Sequence, residues 1–96
     1  MTVSMAGRAE IALRTLRPTE QGKVLRAVSL LGTYDAGQLV SSDNVRRLTG
    51  SAEGLYAFRA SPQLRVLFSR RGDGYIVEDI VRPDRVKHLQ ADGSAQ

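Results

Sequence analysis

Two arginines six residues apart, Arg59 and Arg65, stand inside short apolar runs in the stretch LYAFRASPQLRVLF. A charge in such a run needs either an opposite charge or a ligand, because burying it unpaired is costly. Arginine suits a ligand well: its planar fork donates parallel N–H bonds to phosphate or carboxylate oxygens. The surrounding segment points the same way. Between Leu55 and Arg71 there are four arginines (Arg59, Arg65, Arg70, Arg71) and no acid, the charge density of a polyanion-binding surface. Two other readings stay open. The arginines could pair with Glu78 or Asp79 further along the chain, or they could form a solvated basic face without a partner.

The rest of the composition narrows the chemistry. The chain has 96 residues and a net charge of +4, which is the size of one domain, expected over 1–90 with a flexible tail at 91–96. It has no cysteine and one histidine, His88, so thiolate chemistry is excluded and a histidine metal site is not expected. No cofactor is expected either. No apolar run approaches the roughly 18 residues of a membrane helix, and the N-terminus lacks the apolar core of a secretion signal. The expectation is a cytoplasmic protein without a membrane partner.

The elements that must position the arginines follow from periodicity. Ser4 to Leu16 carries apolar residues at helical spacing, with Ser4 as the expected N-cap. A second helix runs from Pro18, with Val24, Leu25, Val28 and Leu31 as its apolar stripe and Gly32 as its stop. The polar stretch Thr33–Gly54 reads as a long connection with a short structured piece at Val45–Leu48. From Leu55 the period becomes two. LYAFRA, LRVLFSR and GYIVEDIVR read as three strands joined by short turns. Pro83 ends the last strand, and Asp84 begins a short helix to Leu89. The order predicts an α+β fold: an N-terminal helical hairpin packed on a small antiparallel sheet, followed by a short C-terminal helix.

The strand pattern also predicts which face the arginines share. If Ala60 faces Leu64, then Arg59 faces Arg65 and Phe58 faces Val66. Tyr56, Phe58, Leu64, Val66 and Phe68 then share the helix face, and Leu55, Ala57, Arg59, Arg65, Leu67 and Ser69 the other; a slip of one residue mixes both faces. Facing arginines repel by roughly 0.2–1 kcal/mol. The register of the third strand is left open: Ile76 and Ile80 suit one face, Tyr75, Val77 and Val81 the other.

From Val45 to Arg85 the sequence resembles the RelE/ParE/HigB superfamily of small bacterial toxins from type II toxin–antitoxin modules. The resemblance rests on a Leu-x-Gly turn (Leu48, Gly50), the segment Gly54–Arg59, the run Arg65–Phe68, a Gly/Asp hairpin and an apolar third strand. It implies a site on the concave sheet face and the C-terminal segment, with an antitoxin protein as partner and no metal ion. In the RelE and HigB branches it implies a messenger-RNA endoribonuclease, usually acting on the ribosome. In the ParE branch it implies an inhibitor of DNA gyrase. A non-toxic basic domain of the same fold is the remaining alternative.

Carried over by position, Arg59 and Arg65 match the basic residues of neighbouring strands, and Arg85 lies near the C-terminal basic residue. His88 stands a few residues late for the terminal general acid. Ala57 replaces a basic residue, and Arg46 and Arg47 stand where some relatives place Glu or His. Only Met1–Ser4 precede the first helix, so the family's first strand is absent or stunted. The expected catalytic set is Arg59, Arg65, Arg85 and His88. Arg46, Arg47, Arg70, Arg71 and Lys87 are the expected RNA contacts. Glu53 and Glu78 are further candidate bases, while Tyr56 falls on the core face. The favoured activity is metal-independent RNA cleavage through the 2′-hydroxyl. Arginines would stabilise charge on phosphorus, and His88, whose ordinary pKa lies near neutrality, would move a proton.

Overall fold

The computed structural model describes residues 2–35, 43–48 and 54–86. Along the chain run β1 (Val3–Met5), α1 (Gly7–Thr15), α2 (Pro18–Leu31), β2 (Val45–Arg47), β3 (Tyr56–Ser61), β4 (Leu64–Arg71) and β5 (Gly74–Val81). A helical turn at 83–86 follows; the remainder of the expected C-terminal helix, to Leu89, lies outside the described residues. The strands form one sheet in the order β1-β5-β4-β3-β2. β1 is parallel to β5, and every other neighbouring pair is antiparallel. The expected meander is thus the centre of a five-stranded sheet rather than its whole.

The first strand is stunted, not absent, and it takes residues the pattern assigned to a helix start. Ser4 lies in β1 opposite Ile76, and Ala6 is the N-cap of α1 with no side-chain bond. Sheet pairing decides this. The Tyr75 amide donates to the Thr2 carbonyl at 2.8 Å and the Ala6 amide to the Val77 carbonyl at 2.9 Å, so the edge of β5 is covered up to the helix. Gly74 permits that approach. A Cβ there would fall on the Thr2 carbonyl oxygen. One residue earlier, the hairpin from β4 to β5 turns through Gly72 and Asp73, and among its residues only Gly72 has positive φ, at 59°, as a two-residue type II′ turn requires.

The second helix keeps its expected bounds. Pro18 opens it and Gly32 is its C-cap, while the Glu20 carboxylate accepts from the Arg17 amide at 3.4 Å. α1 lies over β5, and α2 over β3 and β4. Between them and the sheet sits the main core. Ala9, Val24, Ala27 and Leu31 from the helices meet Phe58, Val66, Phe68, Tyr75, Val77 and Ile80 from the strands. The Tyr56 ring stacks on Phe68 at 5.4 Å, and the Tyr75 ring meets Phe68 edge-on at 5.5 Å. The buried Tyr75 hydroxyl donates to the Tyr34 carbonyl at 2.8 Å.

Tyr75, Val77 and Ile80 share this core because β5 carries a bulge. Leu67 pairs with Asp79 but Phe68 pairs with Val77, leaving Glu78 as the extra residue. Alternation is broken once, so the two groupings suggested by the bare pattern (Ile76 with Ile80, Tyr75 with Val77 and Val81) are both corrected. Glu78 and Asp79 both come to the sheet face away from the helices.

That second face has a small core of its own. Leu48, Ala57, Leu67 and Val86 are buried together, with Leu55 and Val81 packed against them. The helical turn at 83–86 is pinned here by Val86, beside the arginines. At the other side of the same corner, Arg82 ties the end of β5 to the start of α2. It contacts Glu20 at 3.0 Å and donates to the Gln63 carbonyl at 3.4 Å. The Arg82 hydrogen bond holds the Glu20 carboxyl below its ordinary pKa.

Candidate nucleic-acid interface

Arg59 pairs with Arg65 across β3 and β4, and Phe58 with Val66, Ala57 with Leu67 and Tyr56 with Phe68. One detail differs at the turn: Ser61, not Ala60, faces Leu64, and Ala60 is a bulge residue. The connecting residues Pro62 and Gln63 both have negative φ, and such turns splay a hairpin. A bulge restores local twist. The Arg59 amide donates to the Asn44 carbonyl, away from β4. Arg59 and Arg65 therefore form the closer, non-hydrogen-bonded type of antiparallel pair, with Cα atoms roughly 4.5 Å apart and side chains on one face.

The two guanidinium groups are held differently. Arg65 is half-buried. Its Nη1 donates to the Ser61 carbonyl at 2.7 Å and to the Leu64 carbonyl at 3.1 Å. Those bonds fix the fork against the hairpin turn and leave Nε and Nη2 as donors for an anion. Burial pushes the Arg65 guanidinium below its ordinary pKa, and the Arg59 charge opposite pushes the same way. Arg59 is exposed. Among the described residues the ion pair is Arg82 with Glu20, so neither Arg59 nor Arg65 is locked to a carboxylate. Glu78 instead accepts from the Ser69 hydroxyl at 2.7 Å, and Asp79 from the Ile80 amide at 2.8 Å. The alternative of a structural ion pair with these acids is thereby removed.

A cleft of 210 Å³ opens over the pair. Arg59 and Arg65 line it with Arg46, Ala57, Asp43, Pro83 and Val86. Arg46 enters because β2 pairs in the register Arg46 with Ala57, which puts it directly across from the small residue on β3. Arg47 pairs with Tyr56 and so belongs to the other face. Arg46 and Arg47 thus separate rather than act as one basic step. Among the described residues Asp43 is the acidic group in this cleft, and sequence reasoning missed it. It stands in a polar connection with no periodic signal. Only the pairing of Val45 with Phe58 brings its turn beside Arg59.

Arg85 is not brought into this cleft. It lines a neighbouring one of 350 Å³ with Arg8, Glu78, Asp79, Leu67 and Val81. Val86, the next residue, faces the arginine cleft. Arg70 and Arg71 are exposed at the end of β4, Arg70 opposite Tyr75 and Arg71 opposite Gly74, so alternation sends them to opposite faces. Tyr56 is on the core side, as its face requires. Glu53, Lys87 and His88 lie outside the described residues. Among the described residues no group of three or more His, Cys, Asp or Glu side chains is placed to hold a metal, and no helix is long and apolar enough to cross a membrane.

Neither a protein-family model nor a curated protein sequence matches the chain. Solved structures do. The YoeB–YefM complex from Staphylococcus aureus gives a TM-score of 0.66 at 11% identity, over 84% of this chain and 94% of that one. The archaeal RelE–RelB complex from Pyrococcus horikoshii gives 0.65 at 19%, over 86% and 94%. The RelB–RelE antitoxin–toxin complex from Methanococcus jannaschii gives 0.64 at 9%, over 88% and 95%. The chain therefore has the RelE-like fold, two helices on a mostly antiparallel five-stranded sheet, across most of its length. The sequence resemblance and the backbone agree on this architecture.

Proposed function

We propose that this chain is the toxin of a type II toxin–antitoxin pair and that it cleaves messenger RNA, on the ribosome, without a metal. One observation carries the reading: three arginines from three adjacent strands, Arg46, Arg59 and Arg65, line one cleft on a fold shared with RelE and YoeB. Cationic donors gathered in one cleft, with Arg65 fixed by two turn carbonyls, favour a group whose negative charge grows during reaction, as it does on phosphorus.

In the reaction, a base takes the proton of a ribose 2′-hydroxyl. That oxygen bonds to the adjacent phosphorus, the bond to the 5′ oxygen breaks, and an acid protonates the leaving oxygen. The products are a 2′,3′-cyclic phosphate and a 5′-hydroxyl end. Arg65, fixed by its two turn carbonyls, and Arg59 opposite it hold the phosphate. Arg46 supplies across β2 the positive charge that Ala57 does not supply on β3. Asp43 is the cleft's base, and His88 is the acid assigned by resemblance. Arg85, Arg47, Arg70, Arg71 and Lys87 contact the RNA or ribosomal backbone by charge. An antitoxin protein is the partner of this chain and covers this face; YoeB and RelE were solved as complexes with YefM and RelB.

Inducing the chain in a bacterial host and mapping RNA 5′ ends tests this. Codon-proximal cuts that vanish in Arg65→Ala are expected. A second reading, inhibition of DNA gyrase, is favoured by one feature: among the described residues, the proton-transfer group in the cleft is a single carboxylate. Growth arrest with a DNA-damage response and intact messenger RNA would establish that reading instead.

A further inference from the structure

The arginine cleft does not end at the sheet face. The ladder between β2 and β3 ends where Val45 meets Phe58, with one further bond from the Arg59 amide to the Asn44 carbonyl, so among the described residues Ala60 and Ser61 have no strand on the outer side of β3. Arg59 sits on this margin and lines two clefts, one on each side of the sheet. The second, of 130 Å³, is lined by Lys23, Arg26, Leu30, Asn44 and Phe58 besides Arg59, with no acid among the described residues. Lys23 and Arg26 are exposed. They stand three residues apart on α2, so they occupy one face of the helix about 5–6 Å apart at Cβ.

We infer that a single RNA strand continues from the arginine cleft around the margin of β3 onto α2, where Lys23 and Arg26 hold its next phosphates. This rests on the proposed nucleic-acid reading of the arginine cleft and extends it to a longer substrate path. The chemistry on the page fits an RNA strand better than a bare polyanion. Leu30 is 44% exposed in the same cleft and offers an apolar contact for ribose or base. The basic series Arg65, Arg59, Arg26, Lys23 follows a curve over an edge, which a flexible single strand can trace and a stiff duplex cannot.

The test uses the full chain and two 2′-O-methyl RNAs that cannot be cleaved, a trinucleotide and a decanucleotide, with binding read by fluorescence anisotropy over a salt series. In the double variant Lys23→Gln, Arg26→Gln, the decanucleotide should bind more weakly at low salt. Its slope of log affinity against log salt should fall by about 1.4, roughly 0.7 for each single-strand phosphate released. The loss should be the same for unrelated sequences, and trinucleotide binding should not change. Glutamine keeps the helix propensity of lysine and arginine, and circular dichroism checks the fold. An unchanged decanucleotide slope overturns the path onto α2, as does a preference for duplex DNA that is lost in the same variant. Failure of the underlying reading looks different: the trinucleotide does not bind the wild-type chain, or binds Arg65→Ala equally well.

Discussion

Replacing Arg59 with glutamine should make the protein more stable while weakening its grip on RNA. The structure sets the size of the effect. Arg59 lies directly opposite Arg65 in the closer pair type, and no carboxylate among the described residues pairs with either. Two unit charges about 7 Å apart repel by about 0.6 kcal/mol in water and about 2.4 kcal/mol at the dielectric typical of a protein surface. Arg59 is exposed, so the lower end applies, in line with about 0.2–1 kcal/mol for like charges across a strand pair. For a domain of this size about 1 kcal/mol moves Tm by about 4–8 °C, so Arg59→Gln should gain roughly 1–8 °C. The gain should disappear near 1 M salt, where the Debye length is about 3 Å. Arg65→Ala should behave oppositely. It removes the same repulsion but also the bonds to the Ser61 and Leu64 carbonyls, so its Tm should fall modestly while the fold survives. Thermal melts by circular dichroism at low and high salt measure both. A Tm loss for Arg59→Gln at low salt would refute the reasoning, because it would mean that Arg59 is held by an attraction.

Three further outcomes follow from the scaffold. Gly22 lies inside α2 with nothing within 4 Å of a built Cβ, so Gly22→Ala should stabilise by about 0.5–1 kcal/mol in urea denaturation. Gly74→Ala should destabilise by about 1–3 kcal/mol, because the added methyl falls on the Thr2 carbonyl; hydrogen exchange should show β1 loosened first. Burial raises the Tyr75 pKa above its ordinary value. The folded state therefore favours the neutral phenol, and the stability this contributes is intact below about pH 10 and lost as pH rises towards the raised folded value. Tyr75→Phe should flatten that alkaline decline in a pH series of melts, while costing about 0.5–1.5 kcal/mol at neutral pH for the bond to Tyr34.

What the sequence made legible was local. Pro18 and Gly32 bound a helix by backbone chemistry alone. The pairing of Arg59 with Arg65 followed from period-two alternation and a short link. Even there the Ala60 bulge was invisible, since it changes which residue closes the turn without changing either face. β1 was not legible as a strand, because three residues carry no period and their partner β5 is at the far end of the chain. Ser4 looked like a helix cap for the same reason: its competing bond was non-local. The Glu78 bulge broke the alternation that would have set the register of β5, and it explains why two adjacent acids share a face. Arg46 and Asp43 joined the arginine cleft only through the register of β2, which no pattern in the polar connection announces. Arg85 and Val86 show the limit from the other direction. Neighbours in sequence, they line different clefts.

The account turns on Arg59 and Arg65 binding one phosphate together. The most direct measurement is a titration of the protein with a 2′-O-methyl trinucleotide, following the assigned side-chain Nε–H signals of its arginines by NMR. The account predicts that Arg59 and Arg65 shift together and saturate at one concentration, and that Arg85 does not move with them. Shifts confined to Arg70 and Arg71, or movement of Arg59 without Arg65, would contradict it.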